Sequence, residues 1–87
     1  MYIHLGNNIM LPTNEIIGIF DLENASISKR TRDFLAKAEK EGKVVTISYD
    51  LPRSFVIAGK NRDDIKVYIS QISSSTLLKR TGYIDSL

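Results

Sequence analysis

Cysteine is absent from the 87 residues, proline occurs twice and histidine once. With no cysteine there can be no disulfide and no thiolate ligand or nucleophile, so packing alone must hold the fold, as suits a reducing compartment. The single histidine, His4, has no Asp, Glu or Cys close by in sequence to complete a catalytic relay, and it reads as structural. Metal chemistry needs several converging ligands, whereas Asp63-Asp64 reads as a polar turn pair. Neither a G-x-x-x-x-G-K-[ST] loop nor a G-x-G-x-x-G turn is present to cradle nucleotide phosphates. The hydroxyls of Ser73 to Thr76 have no base beside them and are read as helix caps. No enzyme activity, metal or cofactor is expected. Apolar runs are also short, far below the roughly 20 residues needed to cross a bilayer. The opening "MYIHLGNNIML" lacks a basic n-region and a small-residue cleavage site, so a cytoplasmic protein with no membrane partner is expected.

What is present is ordinary globular composition, 43% hydrophobic and 25% charged, in a chain sized for one domain spanning residues 1–87. A chain this small buries only about 60 to 65% of its unfolded surface. Its stability is therefore modest, and self-association is an available supplement. The net charge of +2 is slight but unevenly placed. Residues 1–28 carry three acids and no Lys or Arg (net −3), and residues 29–87 carry all twelve bases against seven acids (net +5). Such polarity suits a polyanion, or a subunit contact between unlike ends, or simply a solvated surface.

Along the chain there is no internal repeat, low-complexity tract or linker. "YIHL" (2–5) and "NIML" (8–11) flank Gly6-Asn7, a turn pair tolerant of positive φ, and predict a hairpin whose second strand is limited by Pro12. "EIIGIFD" (15–21) predicts a third strand. From about Ser26 the apolar period turns helical: Ile27, Thr31, Phe34, Leu35 and Ala38 make one stripe, Gly42 a stop, and Lys29, Arg30, Lys37 and Lys40 an outer face interrupted by Asp33. "KVVTISY", "SFVIA" (54–58) and "DIKVYIS" (64–70) predict three more strands. In the last of these Ile65, Val67 and Ile69 face one way, and Lys66, Tyr68 and Ser70 face the exposed way. A short helix follows from Ser73 or Ser74 to about Thr81, before Gly82. The order β-β-β-α-β-β-β-α defines an α+β fold, a mostly antiparallel sheet of about six short strands with one main amphipathic helix and a short C-terminal helix. One helix cannot cover two apolar sheet faces, so the surplus is expected to meet a second subunit.

The bases of the main helix serve either solubility, paired with Asp33, Glu39 and Glu41, or phosphate contact. More pointed are Arg53 before the fifth strand, Lys60 and Arg62 after it, and Lys66 on the sixth. A five-residue strand of about 17 Å separates Arg53 from Lys60 and Arg62, so one subunit cannot bring them to one phosphate. Repeated around a ring or stack, the same bases would contact a polyanion many times over.

The segments "YIHLGNNIMLPTNEIIGIFDLE", "FLAKAEKEGKVVTISYDLPRSFVI" and "VYISQISSSTLLKR" together resemble the small bacterial extracellular matrix regulatory proteins, on the RemB (YaaB-like) branch beside RemA, over nearly the whole chain from Tyr2 to Arg80. The resemblance implies a regulator of biofilm matrix genes and, by analogy with the RemA branch, a ring-forming homo-oligomer that binds double-stranded DNA. Arg53, Lys60, Arg62 and Lys66 are then the expected nucleic-acid contacts. RemA-like members tend to carry adjacent arginines after a "TYG"-like strand end, where this chain has Leu51 and Pro52. A protein-interaction module without nucleic acid is the alternative.

Overall fold

Hairpin, sheet and two helices are assembled in the computed structural model, which describes residues 1–22 and 28–81. Strands β1 (Tyr2–Gly6) and β2 (Ile9–Pro12) pair antiparallel. Their turn places Gly6, Asn7 and Asn8 at positive φ, the backbone state that Gly and Asn tolerate best. Strand β3 (Ile16–Asp21) precedes helix α1 (Lys29–Lys40), and β4 (Val44–Thr46), β5 (Ser54–Ala58), β6 (Lys66–Ser70) and helix α2 (Ser74–Arg80) complete the chain. The predicted element order is borne out. The strands divide into the β1-β2 hairpin and a four-stranded sheet ordered β3-β5-β6-β4, in which β4 runs parallel to β6 and the other pairs are antiparallel.

Local chemistry sets the helix limits. Ser28 caps α1, its Oγ accepting from the Thr31 N–H at 3.2 Å, and Gly42 at φ +72° follows the last turn. Ser73 caps α2 in the same way, accepting from the Thr76 N–H at 3.3 Å, as its sequence position implies. Ser26, where the helical period is predicted to begin, Ile27 of the predicted stripe and the residue Gly82 before which α2 is predicted to end all lie outside the described residues.

The sheet has two covered faces: the sequence implies that one helix cannot cover both, and the second cover comes from within the chain. On one side Phe55, Val67 and Ala38 form a cluster with Leu35, Val44, Ile57 and Ile69 beneath α1. On the other, Val56 and Ala58 join Ile3, Leu5 and Leu11 of the hairpin, Ile47, and Leu77 of α2. The hairpin and α2 together supply the second cover that one helix could not. Lys66, Tyr68 and Ser70 accordingly do not share an exposed face. Ser70 is buried, its hydroxyl donating to the Leu5 carbonyl at 2.9 Å while accepting from the Ile72 N–H at 3.0 Å. Ser54, also buried, donates to the Ile72 carbonyl at 2.7 Å. Both hydroxyls are hydrogen-bonded, which offsets the cost of burying them, and among the described residues no buried side-chain N or O atom lacks a partner.

Candidate nucleic-acid interface

Strand β5 runs through the middle of the sheet, and the four predicted contact residues hang on its two ends. Arg53 is exposed at the start, tied in by its backbone: its N–H donates to the Ser70 carbonyl at 2.9 Å and its carbonyl accepts from the Leu22 N–H at 3.0 Å. Lys60 and Arg62 lie past the other end, in the β5–β6 connection, where Asn61 caps a 3-10 turn (Arg62–Asp64) by accepting from the Asp63 N–H at 3.1 Å. Lys66 opens β6 directly opposite Ala58. The fold therefore gathers Lys60 and Lys66, holds Arg62 on the turn between them, and leaves Arg53 at the far end of the sheet.

Lys60 and Lys66 line one concavity of about 370 Å³, together with Gly59, Glu15, Asp63, Asp64 and Tyr68. Neither lysine forms an ion pair with those carboxylates within 4 Å among the described residues. Burial, reinforced by the Glu15 charge, raises the Tyr68 phenol above its ordinary value of 10.0, so it stays neutral at physiological pH and keeps its proton for donation. Glu15 and Tyr68 are not among the residues that the sequence marks for the site. Glu15 is delivered from the end of the hairpin segment, its carbonyl accepting from the Gly59 N–H at 2.9 Å, a pairing across more than forty residues that no local pattern announces.

The outer face of α1 is also basic: Lys29, Arg30, Arg32, Lys37 and Lys40 are all exposed there, against Asp33 and Glu39. Its first turn contains no acid and begins with Lys29 and Arg30. Positive charge there opposes the helix dipole, which favours anions at the N-terminus. Lys29→Glu should raise stability by about 0.5 kcal/mol. Urea unfolding of the two proteins side by side checks this, and a loss of stability in the variant would refute the dipole account.

Between β4 and β5 the chain leaves the sheet and bridges the end of β6. Tyr49 is 96% exposed and Leu51 84%, in a loop that also holds Asp50, Pro52 and Arg53. The loop is anchored at its root, with Ser48 Oγ donating to Gln71 Oε1 at 2.9 Å and accepting from the Asp50 N–H at 3.2 Å. Asn7 Nδ2 adds a hydrogen bond to the Ile47 carbonyl. The strand predicted from "KVVTISY" extends through Tyr49, but pairing stops at Thr46 and the Ile47 N–H makes the last bond, to the Ile69 carbonyl at 3.0 Å.

A small α+β domain with a lidded sheet and cationic groups at both ends of its central strand is the class these features define. Residues 2–81 match the family described as RemA-like, extracellular matrix regulatory protein A-like. The chain is 39% identical over 84 residues to extracellular matrix regulatory protein B of Bacillus subtilis (strain 168), covering 97% of this chain and 94% of that relative. The chain belongs to the RemA-like family of extracellular matrix regulatory proteins. Among the described residues, no helix is long and apolar enough to cross a membrane.

Proposed function

We propose that this chain regulates extracellular matrix genes from the cytoplasm by binding double-stranded DNA as a homo-oligomer, with Arg53, Lys60, Arg62 and Lys66 reaching the phosphate backbone. Family membership carries the reading: a relative covered almost end to end is named as a matrix regulatory protein. Supporting it, all four bases are exposed. Each subunit alone offers a weak grip, since Glu15, Asp63 and Asp64 sit beside Lys60 and Lys66. Copies arrayed in an oligomer multiply that grip, and a polyanion that touches several protomers binds far more tightly than any one contact allows. Exposed apolar groups on the hairpin, Tyr2 and Met10, and on α1, Phe34, give subunits something to meet through. Backbone contact fits better than base reading, because the bases of α1 are not accompanied by an Asn, Gln and Arg set of the kind that reads base edges.

Fluorescence anisotropy with random-sequence duplex at low and moderate salt tests the proposal. Affinity should fall steeply as salt rises, and Arg53→Ala should reduce the slope of log K against log salt by about 1 for each phosphate contact it removes. No binding at low salt would overturn the reading. One observation favours the rival, an oligomeric module that binds a partner protein without nucleic acid: an apolar groove of about 320 Å³ between α1 and the sheet, lined by Phe20, Phe34, Phe55 and Ile57.

A further inference from the structure

We infer that Tyr49 and Leu51 form an apolar wedge that enters the minor groove of bound duplex DNA and bends it. The inference rests on the DNA-binding reading and assigns the contact made by the β4–β5 loop. Three observations converge on it. Tyr49 and Leu51 are almost wholly exposed, at 96% and 84%, although an aromatic and a branched aliphatic group gain nothing from water. They stand on an anchored base: Ser48 is hydrogen-bonded to Gln71, Asp50 to Ser48, and the Arg53 backbone to Ser70 and Leu22. The loop is thus held in place while its apolar tips project. Finally, Arg53 is the single cation of the loop, which also holds Asp50, so one phosphate contact leaves most of what the loop presents apolar.

What remains for this loop to offer DNA is apolar area with a cation beside it. That combination, Leu and Pro next to Arg, matches the chemistry of minor-groove wedges, in which an apolar side chain slips between base steps and partly unstacks them, while Arg53 keeps its contact with the flanking phosphate. Pro52 limits the backbone freedom of the tip and so lowers the ordering cost of insertion. Apolar insertion releases no counterions, so it contributes affinity that salt does not erode. The wedge and the phosphate contacts are therefore separable in one titration series.

The test compares wild type, the double variant Tyr49→Ala/Leu51→Ala and Arg53→Ala on a 30-base-pair duplex labelled at both ends, reading anisotropy against salt and end-to-end energy transfer on binding. Light scattering runs on each protein. The double variant should bind about tenfold more weakly or worse, with its salt slope unchanged and the bend lost; Arg53→Ala should instead flatten the slope. A wild-type protein that binds no duplex at low salt removes both the DNA reading and the wedge. Binding and bending by the double variant equal to wild type remove the wedge alone, as does binding by wild type without bending. Dissociation of the oligomer in the double variant would make the loop a subunit contact and likewise overturn the wedge.

Discussion

Leu77→Ala should cost about 3 kcal/mol of folding stability. Leu77 is the central buried residue of α2, fully shielded from solvent, and it packs in the cluster that joins Ile3, Leu5 and Leu11 of the hairpin to Val56 and Ala58 of the sheet. A helix of seven residues has little stability of its own, because nucleation is unfavourable and only packing holds so short a segment. Truncation at Leu77 therefore loosens α2 and uncovers the sheet face that α2 and the hairpin share. For a domain of this size each kcal/mol shifts the midpoint by roughly 4 to 8 °C, so thermal unfolding should move down by about 12 to 24 °C. Measurement at one fixed protein concentration keeps any linkage to self-association constant. A loss below about 1 kcal/mol would mean that α2 does not close this core, and the account of the second face would fall with it.

That second face also shows where sequence reasoning stops. Alternation along β6 reveals that Val67 and Ile69 point one way and Tyr68 and Ser70 the other, which is correct. Alternation cannot say what covers each side. The cover is fixed by pairings between distant parts of the chain: Ser70 with the Leu5 carbonyl, Arg80 Nη1 with the His4 carbonyl at 2.8 Å, Asn7 with the Ile47 carbonyl. By contrast, the Gly6-Asn7 turn, the Ser73 cap and the Gly42 stop are set within a few residues, and each is legible. The same division runs through the site. That Lys60, Arg62 and Lys66 would cluster follows from a strand, a short connection and a strand. The carboxylate of Glu15 beside the two lysines does not follow, since β3 pairs with β5 across a long stretch of sequence. Tyr49 escapes sequence reasoning for a related reason. Its apolar character continues a strand pattern, but the strand ends because its neighbour β6 ends at Ser70.

Gly59→Ala should likewise cost about 3 kcal/mol, for a reason of space rather than of backbone angle. A Cβ at this position would lie 2.8 Å from Ile65 Cα, 2.9 Å from its nitrogen and 3.0 Å from the Asp64 carbonyl carbon, all main-chain atoms that cannot rotate away. Relief requires the β5–β6 connection to open, which works against the Gly59 N–H bond to the Glu15 carbonyl, the Asp64 N–H bond to the Asn61 carbonyl at 3.1 Å and the pairing of Ala58 with Lys66. Gly42 provides the contrast. It adopts φ +72° with nothing within 4 Å of where an alanine methyl would stand, so Gly42→Ala meets only the left-handed penalty of about 1 kcal/mol. Denaturant unfolding of the two variants should therefore separate them by about 2 kcal/mol. Opening the connection also moves Lys60 and Arg62 relative to Lys66. Gly59→Ala, assayed at a temperature where it remains folded, should then bind duplex DNA more weakly than Gly42→Ala at the same salt. Equal stability of the two variants would show that the connection yields without strain, and equal DNA affinity would show that its geometry does not set the spacing of the three bases.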